Sequence, residues 1–109
     1  MNDRDRRIID VIRSLREGEV VSYGDIASDA GYPEQSRLVG RLLSMNDDPD
    51  LPWWRVVNSV GRLVPDHERE QAARLRDEGV RVRNQRVQQA PFGRFRAVAR
   101  KDSLRSDDK

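Results

Sequence analysis

Two short helical segments, separated by a Gly-Tyr-Pro break at residues 31–33, constrain the fold of this chain more than any other feature. Ser22 followed by Asp25 is a capping pair that starts a helix, and the glycine of the break suits the left-handed residue that ends one. Pro33 fits the first turn of the next helix, which we expect to run to about Met45. The sequence therefore predicts a helix-turn-helix arrangement, although many helical proteins contain one.

Apolar spacing predicts the other helices and strands. Apolar residues between 8 and 15 recur at helical spacing and predict a first helix, and residues 68–78 predict a charged helix. Val20 and Val21 predict a short extended segment. Residues 52–63 predict a buried strand, a turn and a second short strand. The expected fold class is therefore mainly α, with a small two-stranded β element.

The composition excludes several kinds of site. The chain of 109 residues has no cysteine, which excludes a disulfide, a thiolate zinc site and a cysteine nucleophile, and fits a cytoplasmic protein. His67 is the only histidine, and we expect it to be solvated rather than to bind a metal. No cofactor is expected. No apolar run approaches the ~20 residues of a membrane helix, so no membrane association is expected.

Positive charge is concentrated after residue 80. The net charge of the whole chain is only +2, and residues 1–79 carry more acidic than basic side chains. We predict a domain at residues 1–80 and a basic extension at residues 81–109, disordered after about residue 97. The extension suggests a polyanionic partner, although a solubilising tail would look the same. Nearly all basic residues are arginine, which suits phosphate contacts but would also follow from a GC-rich genome.

Four motifs then occur in a fixed order. They are Ser-Tyr-Gly-Asp-Ile-Ala at 22–27, Arg-Leu-Val-Gly at 37–40, Pro-Trp-Trp-Arg-Val-Val at 52–57 and Asn-Ser-Val-Gly-Arg-Leu at 58–63. Over about residues 5–80 the chain resembles the DNA-binding domain of the O6-alkylguanine-DNA alkyltransferases. Those enzymes carry Pro-Cys-His-Arg-Val where this chain has Pro-Trp-Trp-Arg-Val, and the cysteine accepts the alkyl group. Because Trp53 stands at the cysteine position, the chain more closely resembles the alkyltransferase-like proteins, which bind the same lesions and transfer nothing.

The resemblance implies a winged helix-turn-helix-like fold, like that of the alkyltransferase C-terminal domain. It also implies a DNA-binding face made of Tyr23, Ser36, Arg37, Gly40, Arg41 and Asn46. Arg37 matches the arginine that enters the duplex from the minor groove in place of the extruded nucleotide, and Arg41 shares its helix face. Tyr23 matches the tyrosine that rotates the target phosphate. Gly40 would let the backbone approach phosphates, and Asn46 matches an asparagine that bonds backbone around the binding loop.

Each of these residues also has a structural interpretation. Arg37 and Arg41 could be a solvated pair on a helix surface. Tyr23 could be a half-buried residue at a helix start, and Asn46 could simply end a helix. By spacing alone, the residue at 53 could equally be a core tryptophan in a strand.

The resemblance further implies a lesion pocket formed by Pro52, Trp53, Trp54 and Arg55. Trp53 would be one wall, where a flipped base could stack for ~1–3 kcal/mol. Pro52 would fix the strand entry and Arg55 would anchor the loop. Trp54 departs from the family, because the enzymes carry there the histidine of a His–Glu relay, and the change could alter the pocket floor. Glu78 matches the relay glutamate, and without the histidine we expect it to bond backbone or arginine.

The resemblance thus predicts binding of O6-alkylguanine in duplex DNA from the minor groove, with nucleotide flipping and no catalytic residue. The complex would mark the lesion for nucleotide excision repair proteins, and the chain would be a monomer. The family's glycine-rich pocket loop is replaced here at residues 64–67, which could leave a larger pocket for bulkier adducts. Arginines of the extension would add phosphate affinity: Arg81, Arg83, Arg86, Arg94 and Arg96.

Three alternatives stay open at this point. The first is a sequence-specific or architectural helix-turn-helix regulator without lesion selectivity. The second is an enzyme that transfers the alkyl group to a residue other than cysteine, which is chemically poor. The third is a protein-interaction module.

Overall fold

The computed structural model describes residues 1–96, which form four α-helices, a 3-10 helix and five short strands. The helices are α1 (Asp3–Arg13), α2 (Tyr23–Asp29), α3 (Ser36–Ser44), the 3-10 helix (Trp53–Arg55) and α4 (Glu68–Asp77). The strands are β1 (Glu19–Ser22), β2 (Val56–Val57), β3 (Arg81–Arg83), β4 (Arg86–Gln89) and β5 (Phe92–Gly93). The predicted class, mainly α with small β elements, is confirmed. The disorder predicted after about residue 97 concerns residues outside this description.

Local capping explains where the helices of the helix-turn-helix begin. The Ser22 hydroxyl accepts a hydrogen bond from the Asp25 amide at 3.0 Å, and the Asp25 carboxylate accepts one from the Ser22 amide at 2.9 Å. This is the predicted capping box of α2. The prediction that Pro33 lies in the first turn of α3 was wrong. The Gln35 amide donates to the Tyr32 carbonyl in a separate turn, so α3 begins only at Ser36.

The central strand of the larger sheet is β1, and both of its neighbours run parallel to it. Val21 pairs with Val56 of β2 on one side, and Glu19 pairs with Phe92 of β5 on the other. The prediction of two strands within residues 52–63 was wrong in detail. Only β2 is a strand there, and its partner lies far away in the sequence, because parallel strands cannot be joined by a tight turn.

The second sheet is a hairpin of β3 and β4. Its two-residue turn is Asn84-Gln85, and both residues have positive φ angles, of 53° and 63°. Such a turn matches the twist of the flanking strands. Arg62 extends the hairpin by a bridge to Arg86. The division into domains at residue 80 stays a prediction, while the hairpin packs on α4 and β5 pairs with β1.

The apolar side chains form two clusters. The first lies among α1, α2 and α3, and its fully buried members include Ile8, Ile12, Ile26, Val39 and Leu51. The second lies between β1, β2, α4 and the hairpin, and it contains Val20, Val57, Leu63, Leu75, Val80, Val87, Ala90 and Phe95. The site described next lies on the α2–α3 side of the molecule. Within residues 1–96, no helix has the length and apolar character needed to cross a membrane.

Candidate nucleic-acid interface

A cavity of about 350 Å³ lies between α2, α3 and the 3-10 helix. Its lining residues are Tyr23, Gly40, Leu43, Ser44, Asn46, Trp53, Val64, His67 and Glu70. Four of these were predicted from the sequence to be site residues. Three of them come from separate motifs, and the fourth, Asn46, follows α3. The fold therefore brings together Tyr23, Gly40, Asn46 and Trp53 around one concave space.

Trp53 is half-buried and forms a wall of this cavity. The sequence predicted a strand at this position, but Trp53 lies in the 3-10 helix. Its ring meets the His67 ring edge to face, with the ring centroids 6.0 Å apart. Because one face of the cavity is an indole, the cavity offers a flat apolar surface to a planar ligand.

His67 and Glu70 line the cavity, and sequence reasoning did not assign either of them to the site. Both side chains are exposed, as expected for His67. The one available signal was position, because His67 ends the segment that replaces the family's glycine-rich pocket loop. Glu70 pairs with Arg74 at 3.1 Å across one turn of α4.

Tyr23 and Gly40 face each other across the α2–α3 packing. A tyrosine hydroxyl is protonated at neutral pH, and burial raises the pKa of Tyr23 further above its usual value. A Cβ placed on Gly40 would lie 3.9 Å from the Tyr23 ring, an ordinary contact. Packing inside the chain therefore does not require glycine at this position.

The exposed face of α3 carries Ser36, Arg37 and Arg41. Val39 lies on the opposite face and is completely buried. Neither arginine forms an ion pair with another residue of the described part of the chain. The three residues lie beside the cavity on the same helix as Gly40, but they do not line it.

Asn46 shapes the loop that follows α3. Its side-chain amide donates to the Asp48 carbonyl at 2.9 Å, and its side-chain oxygen accepts from the Asp48 amide at 3.2 Å. Asp48 also accepts from Arg13 at 3.2 Å. The backbone N–H of Asp50 and the Arg13 guanidinium lower the pKa of Asp48. The predicted role of Asn46 in bonding loop backbone agrees with this geometry.

On the other side of the 3-10 helix, Glu78 accepts hydrogen bonds from three residues. The Trp54 indole N–H donates at 2.8 Å and the Gly18 amide donates at 2.9 Å. The Arg55 guanidinium donates to both carboxylate oxygens, at 2.8 to 3.2 Å, and also donates to the Leu15 carbonyl at 2.8 Å. The expectation that Glu78 bonds backbone and arginine agrees with this network.

The Glu78 carboxylate is held in its charged form. Burial by itself would raise the pKa of Glu78, but the hydrogen bonds from Arg55, Gly18 and Trp54 outweigh burial and lower the pKa. The side chains of Arg55 and Glu78 are only 13% and 10% exposed. The Arg74 guanidinium covers the Trp54 ring at 4.6 Å.

Pro52, Trp54 and Arg55, also predicted for the pocket, are not among the residues that line the cavity.

Gln71 is another residue whose contacts were not predicted from the sequence. It is completely buried on α4, and its amide donates to the carbonyls of Trp54 and Val56 at 3.1 Å. Its side-chain oxygen accepts from the Val64 amide at 2.7 Å. Gln71 therefore ties the 3-10 helix to the loop that lines the cavity. The only sequence signal was a polar residue four positions before Leu75, on the apolar stripe of α4.

Within residues 1–96, no group of three or more His, Cys, Asp or Glu side chains is placed to hold a metal ion.

Comparison with known proteins identifies the family. The family described as "6-O-methylguanine DNA methyltransferase, DNA binding domain" matches residues 3–80. The chain is 40% identical over 80 residues to the DNA base-flipping protein of Vibrio parahaemolyticus, covering 70% of this chain and 79% of that protein. It is 32% identical over 81 residues to alkyltransferase-like protein 1 of Schizosaccharomyces pombe, covering 70% of this chain and 75% of that protein.

A solved structure agrees with the sequence matches. The crystal structure of S. pombe Atl1 in complex with damaged DNA containing O6-carboxymethylguanine superposes with a TM-score of 0.69 and 31% identity. The superposition covers 76% of this chain and 82% of that one. The chain therefore belongs to the family of the 6-O-methylguanine DNA methyltransferase DNA-binding domain, as one of its alkyltransferase-like members.

Proposed function

We propose that this protein binds O6-alkylguanine in duplex DNA, holds the extruded base in the cavity against Trp53, and transfers no alkyl group. The observation that carries the proposal is the cavity itself, which has an indole wall and brings together Tyr23, Gly40 and Trp53 from three of the four motifs. Two relatives support it by their names, as a DNA base-flipping protein and an Atl1 bound to damaged DNA.

The chemistry at position 53 argues against alkyl transfer. Transfer needs a nucleophile at the cavity wall, and a thiolate is absent because the chain has no cysteine. An indole carbon cannot replace it. Glu78, which matches the relay carboxylate, is occupied by Trp54, Arg55 and Gly18 and has no histidine to polarise. The same indole can stack on a flipped base.

The exposed face of α3 is proposed to enter the minor groove. Arg37 would fill the space left by the extruded nucleotide, while Ser36 and Arg41 would contact the backbone. Extrusion costs a few kcal/mol of stacking and pairing. Stacking on Trp53 would recover ~1–3 kcal/mol of this. Gly40 would allow a phosphate to approach the helix, which fits the finding that packing inside the chain does not require glycine there.

We further propose that the cavity accepts adducts bulkier than methyl. Its volume of about 350 Å³ lies in the range of small-molecule sites. The S. pombe relative was crystallised with DNA containing O6-carboxymethylguanine, an adduct larger than methyl. The protein would bind as a monomer. The bound complex would mark the lesion for nucleotide excision repair proteins. A measured preference for methyl over bulky adducts would count against the size argument.

The decisive experiment is fluorescence anisotropy with two duplexes that differ only in one O6-methylguanine, at fixed salt. We expect at least tenfold tighter binding to the damaged duplex, or about 1.4 kcal/mol. Arg37→Ala should remove most of this preference, whereas Arg7→Ala, an exposed arginine of α1, should leave it intact. Equal affinity for both duplexes would instead favour a helix-turn-helix regulator. A gained alkyl mass in the protein after incubation would contradict the absence of transfer.

A further inference from the structure

The β3–β4 hairpin carries arginines that neither the cavity nor α3 uses. Arg83 pairs directly with Arg86 in the antiparallel register. Arg86 also bridges to Arg62 on its other side. Directly paired residues place their side chains on the same face of a sheet, with Cβ atoms about 4.5–5.5 Å apart. Arg62, Arg86 and Arg83 therefore form a row across three chain segments, which we call the arginine row.

Among residues 1–96, no carboxylate forms an ion pair with the arginine row. Its three members are exposed. Like charges directly opposite each other destabilise a sheet, so this arrangement weakens the isolated protein. A groove of about 550 Å³ beside the row is lined by Arg83 together with Arg76 and Arg81. A partner with regularly spaced negative charges would relieve the repulsion.

We propose that the arginine row binds phosphates of duplex DNA outside the segment that lies over the cavity. The planar guanidinium group donates two parallel hydrogen bonds to one phosphate, which makes arginine well suited to this contact. The inference takes DNA as the partner from the proposed function. It does not depend on selectivity for a lesion.

The helix that joins the two surfaces indicates that they contact different parts of a duplex. Glu70 of α4 lines the cavity and Arg76 of α4 lines the groove beside the arginine row. Six positions along an α-helix correspond to about 9 Å along its axis and about 120° around it. In addition, α3 packs in the first apolar cluster while the hairpin packs in the second. The groove beside the arginine row is therefore displaced from the cavity along and around α4.

A pair of double variants tests the proposal. Arg83→Gln with Arg86→Gln removes two charges from the row, and Arg6→Gln with Arg7→Gln removes two exposed charges from α1. Anisotropy would be measured against salt on undamaged duplexes of about 10 and 30 base pairs, or one and three helical turns. The row variant should bind the long duplex about tenfold more weakly. Its salt slope should fall by about 0.9 for each lost phosphate contact.

On the short duplex the row variant should bind like the wild type, and the α1 variant should change little on either duplex. Thermal melting provides a second readout. Removing two opposed like charges should leave the melting temperature unchanged or raise it, whereas a structural role would lower it. The proposal is overturned if the two double variants lose affinity equally, if the loss is the same on both duplex lengths, or if the row variant loses none.

The ratio of affinities for damaged and undamaged duplex separates this inference from the proposed function. The row variant should keep the wild-type ratio, since both duplexes lose the same phosphate contacts. A wild-type protein without any preference for the lesion would overturn the proposed function. The proposal for the arginine row would still hold if the row variant lost affinity for the long duplex.

Discussion

Trp53 and Trp54 are neighbours in one 3-10 helix, yet their side chains lie on two sides of the molecule with different chemistry. The Trp53 side is a cavity whose wall residues Tyr23 and His67 have side chains within reach of a ligand. On the Trp54 side, the indole N–H is already bonded to Glu78 and the ring is covered by Arg74. One short helix therefore separates the cavity that we propose as the binding site from a hydrogen-bonded network around Glu78.

The largest effect on stability is expected from removing the Glu78 carboxylate. Glu78→Ala leaves the guanidinium of Arg55 buried without its partner, and losing one member of a buried ion pair costs about 3–5 kcal/mol. Urea unfolding should show a loss of that order. Glu70→Ala, which breaks the exposed pair with Arg74, should cost less than about 1 kcal/mol. Similar losses for the two variants would contradict the assignment of stability to the Glu78 side.

Substituting each tryptophan in turn tests whether the two indoles have different roles. Trp53→Ala should reduce the preference for a damaged duplex by roughly 5- to 150-fold, because it removes ~1–3 kcal/mol of stacking. Trp54→Phe should keep that preference but lower the free energy of unfolding, because a hydrogen bond to a charged group is worth about 1.5 kcal/mol or more. Anisotropy and urea unfolding of both variants measure the two quantities. If Trp54→Phe lost the preference instead, the two sides would not be independent.

Lowering the pH should reduce the free energy of unfolding through Glu78, by less than the substitutions described above. The pKa of Glu78 is lower in the folded state than the ordinary value of 4.5, so the unfolded chain takes up its proton first. The resulting stability is fully present above about pH 4.5 and is lost as the pH falls through the folded pKa. Asp48 contributes in the same direction. Unfolding free energies measured between pH 7 and 3 should fall less steeply in Glu78→Gln than in wild type.

The smallest effect on stability is expected at Gly40. An added methyl group would meet the Tyr23 ring at 3.9 Å without strain, and alanine stabilises a helix interior by about 0.5–1 kcal/mol over glycine. Gly40→Ala should therefore melt at the same or a higher temperature. It should bind DNA more weakly, since the methyl group occupies space proposed for a phosphate. Unchanged binding would show that no close approach occurs there.

Local signals account for what the sequence predicted well. The capping box of α2 depends on Ser22 and Asp25 alone, three positions apart, so it could be predicted without knowledge of the rest of the fold. The presence of Tyr23 and Trp53 in one site could be expected only through the family resemblance. Periodicity cannot show that residues from distant motifs will surround the same cavity.

Long-range partners explain what the sequence did not predict. The bond from Trp54 to Glu78 joins residues in different elements, and nothing near Trp54 in the sequence specifies its direction. The same holds for Gln71, whose three partners lie in the 3-10 helix, β2 and the following loop. The predicted strand pair at residues 52–63 was wrong for the same reason. The true partners of that segment, β1 and Arg86, lie outside it.

The pairing of β1 with β5 has a consequence for how the protein forms during synthesis. Glu19 of β1 is synthesised early, but its partner Phe92 is synthesised 73 residues later. Gly93 packs so closely on the Val20 backbone that a Cβ there would approach to 2.7 Å, so only glycine can close this edge. The helices α1, α2 and α3 can therefore pack on one another before Phe95 is available to complete the second apolar cluster.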